Sequence, residues 1–215
     1  MDPQGTYIDL MKFSALTTTL PILLGCFKIR SFKKSEFVIF ALCVISGLFE
    51  LNNYFLAENA KNTFIYFHIF TVVEFTLIAL FYDSFWRKNV GSKLFLWILP
   101  FFIIVAIFDV IINGLDNFDN YATSFESLLF SLISLWCFYF IMKNMIFEKL
   151  TNEPFFWINA AIALYFGGNL ILFLFNDYLI ANEEKTHNAL WSIHSVLNIM
   201  YNSLISVGFW KTARQ

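Results

Sequence analysis

Charge is what this sequence has least of. Only 14% of its residues are Asp, Glu, Lys or Arg, where a soluble domain carries about a quarter. Of the same 215 residues 59% are hydrophobic and 29 are Phe. A soluble fold of this size would leave much of that surface exposed as apolar patches, so a soluble domain is excluded. Short segments of alternating polarity are also missing, which argues against a transmembrane β-barrel. The sequence has no low-complexity stretch and no charged tail, and a net charge of −2 gives no reason to expect a nucleic-acid partner. Its three cysteines are Cys26, Cys43 and Cys137. None falls in an outer connector, so no structural disulfide is expected. Their spacing fits no metal motif, and they read as small apolar packing residues.

What is present is apolar sequence in blocks long enough to cross a bilayer, about 20 residues each. Seven such blocks span 7–29, 35–57, 62–86, 94–112, 120–144, 153–177 and 186–211. The first contains Asp9 and Lys12 and reads as a retained helix rather than a cleavable signal. The connectors leave no room for a second domain, so residues 1–215 read as one all-α domain, a polytopic transmembrane bundle of seven helices. Eleven of the 14 basic residues fall on one side: Lys28, Arg30, Lys33 and Lys34; Arg87, Lys88 and Lys93; Lys143 and Lys149; Lys211 and Arg214. Asp116, Asp119, Glu183 and Glu184 fall on the other. Basic connectors stay in the cytoplasm, which puts the N-terminus outside, the C-terminus inside and the chain in the inner membrane as a multi-pass protein. Thr186 is positioned to cap the last helix, and Pro154 to open the sixth. Pro21 and Pro100 sit where a helix would kink, and Gly167–Gly168 permit a close helix approach.

Ionisable groups inside a membrane are functional candidates by default. At 1.5 Å per residue, Glu50 lies about 10 Å below the outer end of its block, His68 and Glu126 about 9 Å, and Asn169 and His194 about 12 Å. One polar layer in the outer half of the membrane is therefore expected, with Asn52, Asn53 and Asp109 shallower. Glu74, about 18 Å down, and Asn198 are deeper. His68, Thr71 and Glu74 share one helix face, as do His194, Asn198 and Asn202. The candidate ligand-binding residues are thus Glu50, His68, Thr71, Glu74, Glu126, Asn169, His194, Asn198 and Asn202. Two structural readings stand beside this one. The Asn side chains serve as interhelical glue, or the His and Glu side chains satisfy one another in a packing network.

The segments Tyr66-Phe67-His68-Ile69-Phe70-Thr71-Val72-Val73-Glu74-Phe75 and Ile193-His194-Ser195-Val196-Leu197-Asn198-Ile199-Met200-Tyr201-Asn202, the latter running into Gly208-Phe209-Trp210-Lys211, resemble a group of small seven-helix membrane proteins of Bacteroidetes-type bacteria. Some of that group are encoded beside sensor histidine kinases, so the resemblance implies a signalling role and such a kinase as cytoplasmic partner. Two other seven-helix families are tested by single residues. Microbial rhodopsins hold retinal on a Lys in the middle of helix 7, where this chain has none before Lys211, so no retinal is expected. Membrane hydrolases similar to ceramidases bind zinc through a His-x-x-x-His pair on the last helix. His187 and His194 are seven apart, about 10 Å along the axis, too far for one zinc with bonds of about 2 Å.

Three functions remain in view. The first is a receptor-like sensor with an outward-open polar pocket and a cytoplasmic partner. The second is a transporter or channel for a small polar solute or ion, supported by Glu74 and Asn198 near the midplane. The third is a metal-dependent membrane hydrolase, the only enzymatic reading and the least supported.

Overall fold

A computed structural model describes residues 3–58, 63–91, 94–182 and 184–212. Lys93, Glu183 and Arg214, used above to orient the chain, lie outside the described residues. Every regular element is helical: α1 (Pro3–Thr17), α2 (Thr19–Lys28), α3 (Lys34–Glu58), α4 (Phe64–Asn89), α5 (Leu94–Asn113), α6 (Asn120–Lys143), α7 (Pro154–Asn182) and α8 (Glu184–Lys211). These are the seven expected segments, with the first broken in two.

The break has a local cause. Pro21 has no N–H for the carbonyl of residue 17, and its ring crowds that carbonyl. The hydroxyls of Thr17 and Thr19 donate to the carbonyls of Ser14 and Leu16, competing with the helix ladder. Pro100, by contrast, leaves α5 continuous. Pro154 opens α7 as expected, at the position where a missing N–H costs nothing. Thr186 does not cap α8; that helix has already begun at Glu184. Gly91 and Gly114, with φ of +73° and +77°, end α4 and α5 in the left-handed conformation.

Five segments are long and apolar enough to cross a membrane: Asp9–Ser31, Lys34–Leu56, Phe64–Asn89, Asn120–Lys143 and Pro154–Asn176. The chain is a multi-pass membrane protein. Trp97–Asn113 of α5 is apolar but shorter, and α8 is not among the five.

The chain divides into two compact units. One comprises Phe32–Glu126. Here α4 packs on both α3 and α5. Phe49 of α3 stacks on Phe70, with ring centres 4.3 Å apart, and Phe75 stacks on Phe102 of α5 at 3.7 Å with parallel rings. Glu36 reaches back to the Lys33 N–H at 2.8 Å and caps α3.

The other unit comprises Met1–Ser31 and Ser127–Gln215. Its α7 and α8 form a close hairpin. A Cβ on Gly168 would sit 2.6 Å from a methyl of Leu197, and one on Gly208 3.0 Å from Ile158. The small residue at 168 therefore does permit the close approach expected of it. Both α1 and α2 lie against α8, where Lys28 donates to the Thr212 carbonyl at 3.3 Å and stands over the Trp210 ring.

Candidate functional site

The nine candidate residues divide between the units. Asn169, His194, Asn198 and Asn202 belong to the first-and-last unit, and they are occupied with one another and with α1. Asn202 donates to Thr17 Oγ1 at 3.1 Å and to Asn198 Oδ1 at 3.3 Å. Asn198 donates to Ser14 Oγ at 3.0 Å. Asn169 donates to the Tyr165 carbonyl and faces His194 Nδ1 through its own oxygen at 3.1 Å. That oxygen can only accept, so Nδ1 carries the proton. The His194 ring lies among those of Tyr165, Phe173 and Trp191, with centres 5.0–5.9 Å away. Each of these polar groups has a partner. For these Asn residues the interhelical-glue reading fits the geometry.

Glu50, His68, Thr71, Glu74 and Glu126 belong to the Phe32–Glu126 unit, and their situation differs. Glu50 is partly buried on α3 and makes no hydrogen bond among the described residues. His68 Nε2 faces the Asn117 carbonyl at 3.1 Å and must therefore donate to it. Glu74 has two carboxyls of its own unit, Asp119 and Glu126, as electrostatic neighbours. Glu126 is buried, and its Oε1 has no hydrogen-bond partner.

Two residues absent from the candidate set complete the cluster. Asp109 of α5 is fully buried and accepts from Asn113 Nδ2 at 2.6 Å and from the Ala122 N–H at 2.9 Å. Ala122 is in the first turn of α6, whose N–H groups lack helical acceptors, so Asp109 caps the next helix from the one before. Asp119 stands just before α6 and is also fully buried. Its Oδ2 lies 2.5 Å from Thr71 Oγ1, and its Oδ1 has no partner. Burial pushes the Asp119 carboxyl above the ordinary aspartate range, while the Thr71 hydroxyl and the nearby His68 pull the other way.

Thr71 Oγ1 also lies 3.0 Å from the Phe67 carbonyl. A hydroxyl has one proton, so it serves one acceptor fully at a time. With Asp119 charged, Thr71 donates to it. With Asp119 neutral, the Asp119 hydroxyl donates to Thr71, and Thr71 donates to Phe67. The same atoms thus accommodate two protonation states.

His68 and Asp119 line a cavity of about 290 Å³ between α4, α5 and the start of α6. Its other walls are apolar, among them Ile69, Val72, Ile107 and Val110. Among the described residues no three His, Cys, Asp or Glu side chains stand in a group that would hold a metal ion, so the donor geometry lends the hydrolase reading nothing. Comparison with family models, with curated proteins and with solved structures finds no match.

Proposed function

We propose that this chain is a receptor-like membrane sensor whose input site is the carboxyl cluster of the Phe32–Glu126 unit. One observation carries the reading. Within that cluster two buried carboxyl oxygens, Asp119 Oδ1 and Glu126 Oε1, are left open, whereas the candidate residues of the other unit pair with one another and with α1. An unpartnered polar atom in a low-dielectric site is expensive, and a proton or a ligand relieves that cost. The Thr71 hydroxyl turns with the charge of Asp119, so occupancy at the cluster alters the bonding between α4 and the turn before α6.

In this reading the N-terminus is outside, the C-terminus is in the cytoplasm, and the membrane is the bacterial inner membrane. The basic connectors, carrying Lys28, Arg30, Lys33, Lys34, Arg87, Lys88, Lys143 and Lys149, then face the cytoplasm. They present a cationic surface to a signalling partner such as a histidine kinase. The connectors between the helices are too short to hold an output domain. The Glu74–Glu126 pair within the spans also suits a proton-coupled transporter.

The two readings separate experimentally. The full chain is placed in nanodiscs, and amide exchange of segments 29–33 and 144–153 is followed as pH is changed. A sensor changes protection there, and Glu126→Gln or Glu74→Gln abolishes the change. If both segments exchange identically at every pH, the sensor reading fails. Solute or proton flux by the same protein in liposomes establishes the transporter instead.

A further inference from the structure

We propose that the groove between α4 and α5 is a binding site for a cationic amphiphile drawn from the bilayer, whose primary ammonium head engages the open Oδ1 of Asp119 while its alkyl chain lies along Ile69, Val72, Ile107 and Val110. The proposal rests on the sensor reading for its physiological meaning, but the binding it describes is tested independently of signalling.

Three observations select this class of ligand. The first is the unpartnered oxygen. Asp119 is fully buried, its Oδ2 is taken by Thr71, and its Oδ1 has no donor, yet the residue lines the cavity. A ligand that reaches Oδ1 must bring a hydrogen-bond donor.

The second is the sign of the surroundings. Glu74, Asp109 and Glu126 are the electrostatic neighbours of Asp119 or of one another, against the single imidazole of His68. That imidazole already donates its Nε2–H to the Asn117 carbonyl. In the neutral ring Nδ1 is then a second acceptor, on a residue that lines the same cavity. Carboxylate and imidazole nitrogen together suit an ammonium group, which has several N–H donors and no acceptor. A fatty acid or a phosphate head meets like charge.

The third is the wall. Apart from His68 and Asp119 the lining is apolar, and a cavity of this kind does not hold water well. Ile69 and Ile107 are 59% and 55% exposed on helices that meet lipid. The groove therefore opens toward acyl chains, and a hydrophobic tail enters it without crossing an aqueous barrier. A small hydrophilic amine would leave the isoleucine walls unfilled.

The test uses the full chain in phosphatidylcholine nanodiscs and a dodecylamine bearing a diazirine in its chain. Labelled peptides are mapped by mass spectrometry at increasing probe concentration. Saturable labelling is expected on the segments 65–72 and 103–111, displaced by dodecylamine and not by dodecanoic acid or dodecyltrimethylammonium, which has no N–H. Asp119→Asn keeps the shape and the Thr71 contact but removes the charge, and is expected to raise the half-saturating concentration about tenfold or more. Ile107→Trp fills the groove from the lipid side without touching the polar groups and is expected to abolish saturable labelling. If Asp119→Asn fails to fold, the Ile107→Trp result decides alone. The proposal is overturned if labelling is not saturable, if it is indifferent to Ile107→Trp, or if dodecanoic acid competes as well as the amine. Those outcomes leave proton-driven changes at segments 29–33 and 144–153 untouched, so they refute the ligand and not the sensor.

Discussion

The role of Asp109 is open to a sharp test. Both of its oxygens accept, one from Asn113 Nδ2 and one from the backbone N–H of Ala122. Asp109→Ala removes the cap of α6, which costs about 0.5–2 kcal/mol. It also strips the Asn113 amide of a hydrogen bond to a charged acceptor, of the kind that contributes about 1.5–3 kcal/mol. The two losses share one side chain and do not add fully, so the expected destabilisation is about 2–4 kcal/mol. Asp109→Asn is a different perturbation. Its Oδ1 still accepts from Ala122, and its new amide donates to Asn113 once the Asn113 side chain flips. Only the charge assistance disappears, a loss of about 1 kcal/mol.

The assay is reversible unfolding in mixed micelles with rising dodecyl sulfate, followed by circular dichroism and by the fluorescence of the six Trp residues. The ordering wild type, Asn variant, Ala variant is the result to look for. An Ala variant within about 0.5 kcal/mol of wild type, the range of an inconsequential surface change, would refute the capping role. So would an Asn variant as damaging as the Ala one, because the flip that rescues it would then not occur.

Three further outcomes follow from the same reasoning. Asp119 is held above its ordinary range by burial, so its contribution to stability is complete at pH values below the unfolded aspartate value and is lost as pH rises through the folded one; the measured stability should fall with rising pH, and Asp119→Asn should flatten that part of the slope, with Thr71, His68, Asp109, Glu74 and Glu126 as the groups that face it. Asn202→Ala breaks bonds to Thr17 and Asn198 and should cost about 1–2 kcal/mol, given an average near 0.6 per intramembrane hydrogen bond; a double-mutant cycle with Thr17→Val isolates the α1–α8 share, and zero coupling would remove the glue role. Gly168→Ala drives a Cβ into Leu197 and should cost about 1–3 kcal/mol, part of it recovered by adding Leu197→Ala; an Ala variant as stable as wild type would show that α7 and α8 are free to separate there.

The helices were legible because their limits are written in local chemistry. Pro154 starts α7, Gly91 and Gly114 stop α4 and α5, and the apolar runs between polar connectors have no alternative to a helix in lipid. The break at Thr18 is legible too, once Pro21 is read together with the threonines before it. The site was only half legible, and the reason lies in the depth comparison. Counting at 1.5 Å per residue puts Thr71 about 13 Å below the start of its block and Asp119 just outside its own. The two would never be paired on that basis, yet they meet at 2.5 Å. The count assumes that every helix is upright and starts at the same plane, which tilt and unequal lengths defeat. It also assigns a connector residue to water. The turn from Gly114 to Asp119 instead folds back against α4, drawn by the His68 bond to Asn117 and by Asp109 holding the first turn of α6. One sequence signal points that way. The stretch from Asp109 to Asn120, the connector and the helix ends that flank it, carries three aspartates and three asparagines, far more acceptors than a turn between two helices requires, and acceptors in that number, beside a helix carrying His68 and Thr71, will be drawn to its donors.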